Sequence, residues 1–514
     1  MKVGCQILVV AAAIVGCAEP PNSTLVAPPT VARSVAVATS CPPSTAYVRQ
    51  LASKLWEVRP TNFASTHALY GQCDGDNIQY AIDIAAPGST IRISAGRYIL
   101  SKIADAGDDF DVTTAKGSFR YISQHKVWWY AGLPDVIRQS INIHKPGLTI
   151  TGVAAQAGEN PRASIEYPDF HVGGVFGWSG STASFVINAP RITLQQLRFS
   201  GFEQPVNAFH PGFDIRDNLV TNAAIGDFLT PDVELTYPAW PSTERAIVSR
   251  YRNNRLLFVA NPPHVVGSEI VVSNNHIEYF PCSELPCYRS GLIVIAWSWG
   301  NEIGGGPESF TPVPFNHHIN WDHVLNVRIE DNYVNCNGAA PGIFVWNPSW
   351  GHTGIVKNVL ITGNVVENCL AAMFVGDDQS TPGDDIIHLQ VLGNTFRNIQ
   401  QSAVDAWSIG NPDGVRDLVV SGNRFENVGS HGGFPPGGLW VETGVHNGRF
   451  ENNDYTKSGC PPWGATAVGC ILLDAGSSGN FVRETRFPTG TTACDQVLDL
   501  GVNNTVDRRR CRAN

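Results

Sequence analysis

Five segments of the chain share one frame, apolar-x-apolar-x-x-Asn-x-apolar: Ile270 to Ile277, Val327 to Val334, Val359 to Val366, Leu389 to Phe396 and Leu418 to Phe425. Their asparagines are Asn275, Asn332, Asn364, Asn394 and Asn423, and Asn218 within Phe213 to Val220 fits the same frame. Subtracting successive positions gives gaps of 57, 57, 32, 30 and 29 residues, so the last four units recur at the length of one solenoid turn. Alternating aliphatics turn one side of each segment inward, and the chain then breaks at Gly-Asn or a similar pair, where left-handed backbone is cheap. Asparagine suits that corner because its amide both donates and accepts. Copies stacked one strand spacing apart, about 4.8 Å, can therefore bond from rung to rung. The expected fold is all-β, a parallel β-helix in which residues distant in sequence line up in columns.

At these residues the sequence resembles the right-handed parallel β-helix superfamily, the pectin-lyase-like fold. The stretch Asp76 to Tyr98 resembles the opening of such proteins: a short capping helix, Pro87-Gly88, a first strand, then Gly96-x-Tyr98. The resemblance covers about residues 73 to 500. Polysaccharide lyases, glycoside hydrolases and binding proteins share this scaffold, so it implies a fold and leaves function to the site. The Asn-Thr-Asp, Asp-Asp, Gly-His-Gly and Arg-x-Lys set of polygalacturonase-like hydrolases does not occur in order, nor does the Asp-Pro-His run of alginate epimerases.

The N-terminus, with Lys2 and an apolar run from Ile7 to Val15, reads as an export signal. Its end, Ile14-Val15-Gly16-Cys17, resembles the bacterial lipobox, which implies lipidation of Cys17; a plain secretory signal is the alternative. The run is too short to span a bilayer. The expected organisation is a signal over 1–17, a Pro/Ala/Ser/Thr-rich tether over 18–45, a cap region over 46–72 and the helix over 73–514, with insertions at about 101–145 and 300–322. Such a chain is exported, either to the outer membrane or cell surface as a lipoprotein, or as a secreted or periplasmic protein. Of 12 cysteines, ten remain once Cys5 and Cys17 are assigned to the signal. Cys282 with Cys287, Cys460 with Cys470, and Cys494 with Cys511 are close enough to pair as loop clasps, and Cys41 could pin the tether to Cys73. Cys336 and Cys369 occupy near-equivalent places in adjacent turns, as a rung-to-rung disulfide or two buried thiols.

A formal charge of -10 argues against nucleic acid and weighs against a polyanionic glycan unless calcium bridges like charges; neutral sugars fit better. No cofactor is expected. Calcium is the one candidate ion, for the acidic loop holding Asp105, Asp108, Asp109 and Asp111, beside Trp128-Trp129-Tyr130, or for Asp377-Asp378 with Asp384-Asp385. His317-His318 with His323 reads as a surface loop rather than a metal site.

After each Asn corner a second strand ends in residues unusual for a turn: Trp297-Ser-Trp299, Trp346-Asn-Pro-Ser-Trp350-Gly-His352, Asp377-Asp378, Asp405-Ala-Trp407 and Trp440-Val-Glu442. Asn332 to Trp346, Asn364 to Asp378 and Asn394 to Trp407 are offsets of 14, 14 and 13, so these ends stack on one face. The expected surface is a groove in which Trp297, Trp299, Trp346, Trp350, His352, Trp407 and Trp440 contact sugar. A register shifted by one would instead turn a given Trp into the core. Asp377, Asp378, Asp405 and Glu442 are the candidate catalytic groups. Carboxyls one rung apart stand near 5 Å and two rungs apart near 10 Å, close to the separations of about 5 to 5.5 Å and 6.5 to 9.5 Å used by retaining and inverting glycosidases. The expected function is an extracytoplasmic polysaccharide-degrading enzyme, a glycoside hydrolase working through paired carboxylates. A polysaccharide lyase drawing its base from His352, Lys357, Arg397 or Arg416, and a non-catalytic glycan-binding surface lipoprotein, are the alternatives. The partner is a polysaccharide or oligosaccharide, with membrane contact only through the lipid anchor.

Overall fold

The computed structural model describes residues 41–508 apart from several shorter stretches and 101–109, 122–140, 154–159, 168–182, 230–246, 281–290, 297–322, 348–354, 379–384, 430–436 and 461–468. The signal with Cys17, Cys282, Cys287, Cys511, the Asp105 to Asp109 loop, Trp128 to Tyr130, His317-His318, Trp297, Trp299, Trp350 and His352 lie outside the described residues.

The turn containing Asn364 shows the plan. Ile355–Lys357, Leu360–Thr362, Val365–Glu367 and Met373–Asp377 are four short strands joined by corners, and each belongs to a different sheet. The next turn repeats them as Asp385–Ile387, Gln390–Leu392, Thr395–Ile399 and Val404–Ser408, each parallel to and in register with its predecessor. Propagated along the chain, this stacking builds sheets of fifteen, twelve, eleven and five strands. The chain is a right-handed parallel β-helix. Inward positions stack like with like: Val356 over Ile386, Ile361 over Val391, Val366 over Phe396, all fully buried. Towards the C-terminus the column becomes aromatic, with Phe425 and Tyr455 stacked at 4.6 Å.

The N-terminal end is closed by the helix Cys73–Ile84, whose Ile78, Ala81 and Ile82 are buried. Thr90–Ile93 and Gly96–Ile99 follow as the first coil strands, and the Tyr98 hydroxyl donates to the Val58 carbonyl at 2.8 Å. The disulfide Cys41–Cys73 ties the preceding segment to this helix, and Cys336–Cys369 joins adjacent rungs. Cys494 is disulfide-bonded to a residue outside the described ones. Cys460 and Cys470, expected as a clasp, instead remain buried thiols hydrogen-bonded to each other. The 101–145 insertion includes an antiparallel pair, Phe110–Thr114 with Gly117–Tyr121.

The asparagine ladder runs Asn218, Asn254, Asn275, Asn332, Asn364, Asn394, Asn423, Asn453. From Asn218 to Asn423, the backbone N–H of each donates to the Oδ1 of the next at 2.8 to 3.0 Å. Their Nδ2 groups donate to that same oxygen at 2.9 to 3.2 Å. At the last rung both Asn453 donors reach the Glu484 carboxyl. The residue before each asparagine, rather than the asparagine itself, takes the left-handed backbone: Asn274 at φ 54°, Asp331 at 53°, Gly363 at 67°. The two 57-residue gaps also have different origins. Between Asn218 and Asn275 lies a whole extra turn with Asn254, hidden because Ser249 stands where the frame has an aliphatic. Between Asn275 and Asn332 there is one turn with long connections. A second ladder, Asn335, Asn368, Asn398 and Asn427, holds the following corner at 3.0 to 3.2 Å.

One sheet differs from the others. In the fifteen- and eleven-stranded sheets burial alternates along most strands, whereas Ile343–Asn347, Met373–Asp377 and Val404–Ser408 of the twelve-stranded sheet are buried on both faces.

Replacing Asn364 by Leu strands the Asn332 backbone N–H and the Ile329 carbonyl. At about 1 to 3 kcal/mol for each buried group left unpaired, the expected loss is roughly 2 to 6 kcal/mol in chemical denaturation. An unshifted midpoint would remove the ladder as a source of stability.

Candidate active site

Across the twelve-stranded sheet, Phe344, Phe374, Asp405 and Trp440 pair in register as one column, and Trp346, Gly376 and Trp407 as the next. The alternate residues Val345, Val375, Ala406 and Val441 point into the core, so both columns face outward. The Glu442 N–H donates to the Ala406 carbonyl at 2.8 Å, which sets Glu442 beside Trp407 in the second column. Facing outward does not make these rings open to water: Trp346 is 3% exposed, Trp407 8% and Trp440 4%. Phe344 stacks on Trp346 at 5.2 Å, and Phe374 meets Trp407 edge-on at 5.4 Å. The expected open groove of indoles is, at these positions, a packed aromatic wall outside the main core.

Asp378 clamps that wall. Trp346 Nε1 donates to its Oδ2 at 2.7 Å and Trp407 Nε1 to its Oδ1 at 2.9 Å, so one carboxyl fixes two indoles from different turns. Burial pushes this carboxyl above its ordinary range, against the pull of the two indole bonds. Gly376 makes room for the Trp407 ring, because a Cβ there would lie 2.5 Å from Trp407 Cζ2. No larger residue fits beneath the ring.

Asp405 and Glu442 form the second feature. They are 9% and 8% exposed and share a hydrogen bond, Asp405 within Val404–Ser408 and Glu442 directly after the neighbouring strand Leu439–Val441. Burial raises the Asp405 carboxyl well above the usual range, and the adjacent Glu442 charge raises it further. Burial also pushes Glu442 up to about 7, with Asp474 adding repulsion and the bond to Asp405 opposing it. Two carboxyls in contact under low dielectric cannot both ionise, so the pair keeps one proton near neutrality.

Asp377, expected among the catalytic carboxylates, is set apart from these groups. It is fully buried on the opposite side of its strand, accepting from Asn347 Nδ2 at 3.2 Å and from Ser408 Oγ at 2.9 Å. The bases weighed for lyase chemistry lie elsewhere: Arg397 pairs with Glu367 on the eleven-stranded sheet, Arg416 with Asp385 on the five-stranded sheet, and Lys357 is on that same short sheet. Among the described residues no group of three His, Cys, Asp or Glu could hold a metal ion. Phe344, Phe374 and Gly376 escaped sequence reasoning, although each precedes or occupies a Trp register position and the recurrence of Phe two residues earlier was the available signal.

No family model matches the chain, and no curated protein does. Solved structures similar to it include the A-module of Azotobacter vinelandii mannuronan C-5 epimerase AlgE6, at 13% identity and TM-score 0.37 over 85% of this chain and 96% of that one. The tailspike protein of E. coli bacteriophage HK620, in complex with a pentasaccharide, gives 13% and 0.46 over 87% and 78%. The Agl-KA catalytic domain gives 14% and 0.41 over 88% and 69%. These likenesses concern the coil, and no site residue is carried over from them.

Two measurements check the geometry. Asp378→Asn substitutes a donor for one acceptor oxygen and leaves one indole N–H unpaired, for an expected loss of about 1.5 to 3 kcal/mol and altered Trp emission. Folding raises both carboxyls of the Asp405–Glu442 pair, so their stabilising contribution is complete below the ordinary Glu value of 4.5 and is lost as pH rises through about 7. The thermal midpoint should therefore fall between about pH 5 and 8, and the Asp405→Asn, Glu442→Gln double variant should lack that fall. Identical pH profiles for the two proteins would show that the pair is not coupled in the folded state.

Proposed function

We propose that this β-helix is an exported enzyme that hydrolyses a glycosidic bond of a polysaccharide, with Asp405 and Glu442 as its acid–base pair. The supporting observation is the closeness of these two buried carboxyls on the outward face, walled by aromatic rings, where burial and mutual repulsion favour keeping one of them protonated. Asp405, with the stronger upward push, is the proton donor to the glycosidic oxygen as the bond to the anomeric carbon breaks. Ionised Glu442 takes the proton from the water whose oxygen attacks that carbon. Each proton is accounted for, and the pair ends with its roles exchanged. A contact pair is closer than either glycosidase separation, so sugar must enter between the carboxyls and part them. Asp378 and Gly376 act at one remove, as positioning residues that hold the aromatic wall.

A lyase needs a cation beside a uronate carboxylate, and the columns around the pair hold no Lys or Arg among the described residues. That favours hydrolysis. The disulfides Cys41–Cys73 and Cys336–Cys369 support an oxidising compartment, while anchoring through Cys17 rests on its lipobox-like setting alone. Among the described residues no helix is long and apolar enough to cross a membrane.

Reducing ends should appear from a polysaccharide panel with no rise in absorbance near about 235 nm, the mark of unsaturated ends. Asp405→Asn and Glu442→Gln should each lower kcat by roughly 10² to 10⁴. Because Glu442 must be ionised to act as the base and sits near 7, the acid limb of kcat/KM should lie about there and not in the ordinary carboxyl range, with the alkaline limb set above it by loss of the Asp405 proton. Release of unsaturated ends, or activity unaffected by both substitutions, would overturn hydrolysis by this pair.

A further inference from the structure

Asp405 and Trp440 stand opposite each other on adjacent strands, both facing outward. Each has one buried polar atom without a hydrogen-bond partner: Asp405 Oδ1 and Trp440 Nε1. The two residues are 9% and 4% exposed. The bond to Glu442 therefore leaves an acceptor on Asp405 unused, while one strand away an indole donor is unused. Strand spacing puts their backbones about 4.8 Å apart. A buried donor and a buried acceptor left open on paired residues call for a group that can serve both.

A hydroxyl does so, accepting from the indole N–H and donating to the carboxyl oxygen. An ammonium cannot accept from Trp440. A carboxylate cannot donate to Asp405, and it would meet a pair that already carries negative charge. Among the described residues the columns around the pair hold no Lys or Arg to offset that repulsion.

We propose that this end of the twelve-stranded sheet is a subsite for a neutral sugar, one of whose hydroxyls bridges Trp440 Nε1 and Asp405 Oδ1. Trp440 anchors the hydroxyl, and the acceptor oxygen of Asp405 with the charge of the pair is what selects neutral glycans over polyuronates. The inference rests on reading Asp405 and Glu442 as the working pair, and it names the substrate class of that pair. The bridging hydroxyl also gives the incoming sugar a foothold next to the bond that must part.

Binding separates this claim from hydrolysis. Neutral hexose and hexuronate oligosaccharides of equal length and several linkages are titrated calorimetrically against the Glu442→Gln protein, with and without Trp440→Phe. The phenylalanine keeps the ring and removes the N–H, and its thermal midpoint verifies folding. A neutral oligosaccharide should bind, Trp440→Phe should weaken it roughly 5- to 20-fold, and the hexuronates should bind at least about 100-fold more weakly. Equal or tighter hexuronate binding, affinity indifferent to Trp440→Phe, or no binding by any neutral oligosaccharide would overturn the subsite. Neutral binding with the Trp440 effect, in a wild-type protein that releases no reducing ends, would instead overturn hydrolysis and leave the subsite standing.

Discussion

The buried amide ladder is the interaction on which the rest depends. A strand shifted by one residue would exchange its inward and outward side chains, and the short strands of this coil have little length with which to resist that. Eight asparagines, from Asn218 to Asn453, prevent it, because each amide finds its partner in only one register. A slipped turn would leave several polar groups buried and unpaired, a cost that no gain in apolar contact would offset. The left-handed residue ahead of each amide turns the chain so that the side chain enters the coil. Alignment of Phe374 over Asp405 and of Gly376 over Trp407 on the twelve-stranded sheet follows from that distant corner.

On the twelve-stranded sheet the same alignment serves a different end. Burial on both faces lets it carry groups that a solvated face would leave in high dielectric. Asp378 uses that setting to lock two indoles, and Asp405 and Glu442 use it to share a proton. Neither arrangement would have the same properties in water, where a carboxyl readily ionises and an indole N–H has other partners. The strand spacing supplies the rest, since groups about 30 residues apart in sequence become neighbours about 4.8 Å apart.

The architecture was legible because it repeats. Six copies of one frame and the Asp76 to Tyr98 segment were enough for the coil, its cap and its axis, while the adjacent-turn placing of Cys336 and Cys369 left disulfide and paired thiols open, and the structure shows the disulfide. Asn254 was missed for a local reason, a serine in place of an aliphatic. At the site, the offsets put Trp346, Asp378 and Trp407 on one face and in one column, whereas the register pairs Trp346 and Trp407 with Gly376 and sets Asp378 two residues further on. Their burial was not legible, because a period of two says which side a residue faces and nothing about what covers that side. Asp377 shows the finer limit: adjacent acids on a strand point opposite ways, and only register tells which one meets the indoles.

Glu484 occupies the place where another asparagine would be expected. Its two oxygens accept from Asn453, and burial raises the carboxyl to about 8. The amide relay thus ends on a buried acid that is kept neutral below about 8, and at higher pH its ionisation would put an uncompensated charge inside the coil, loosening the final turns before the rest.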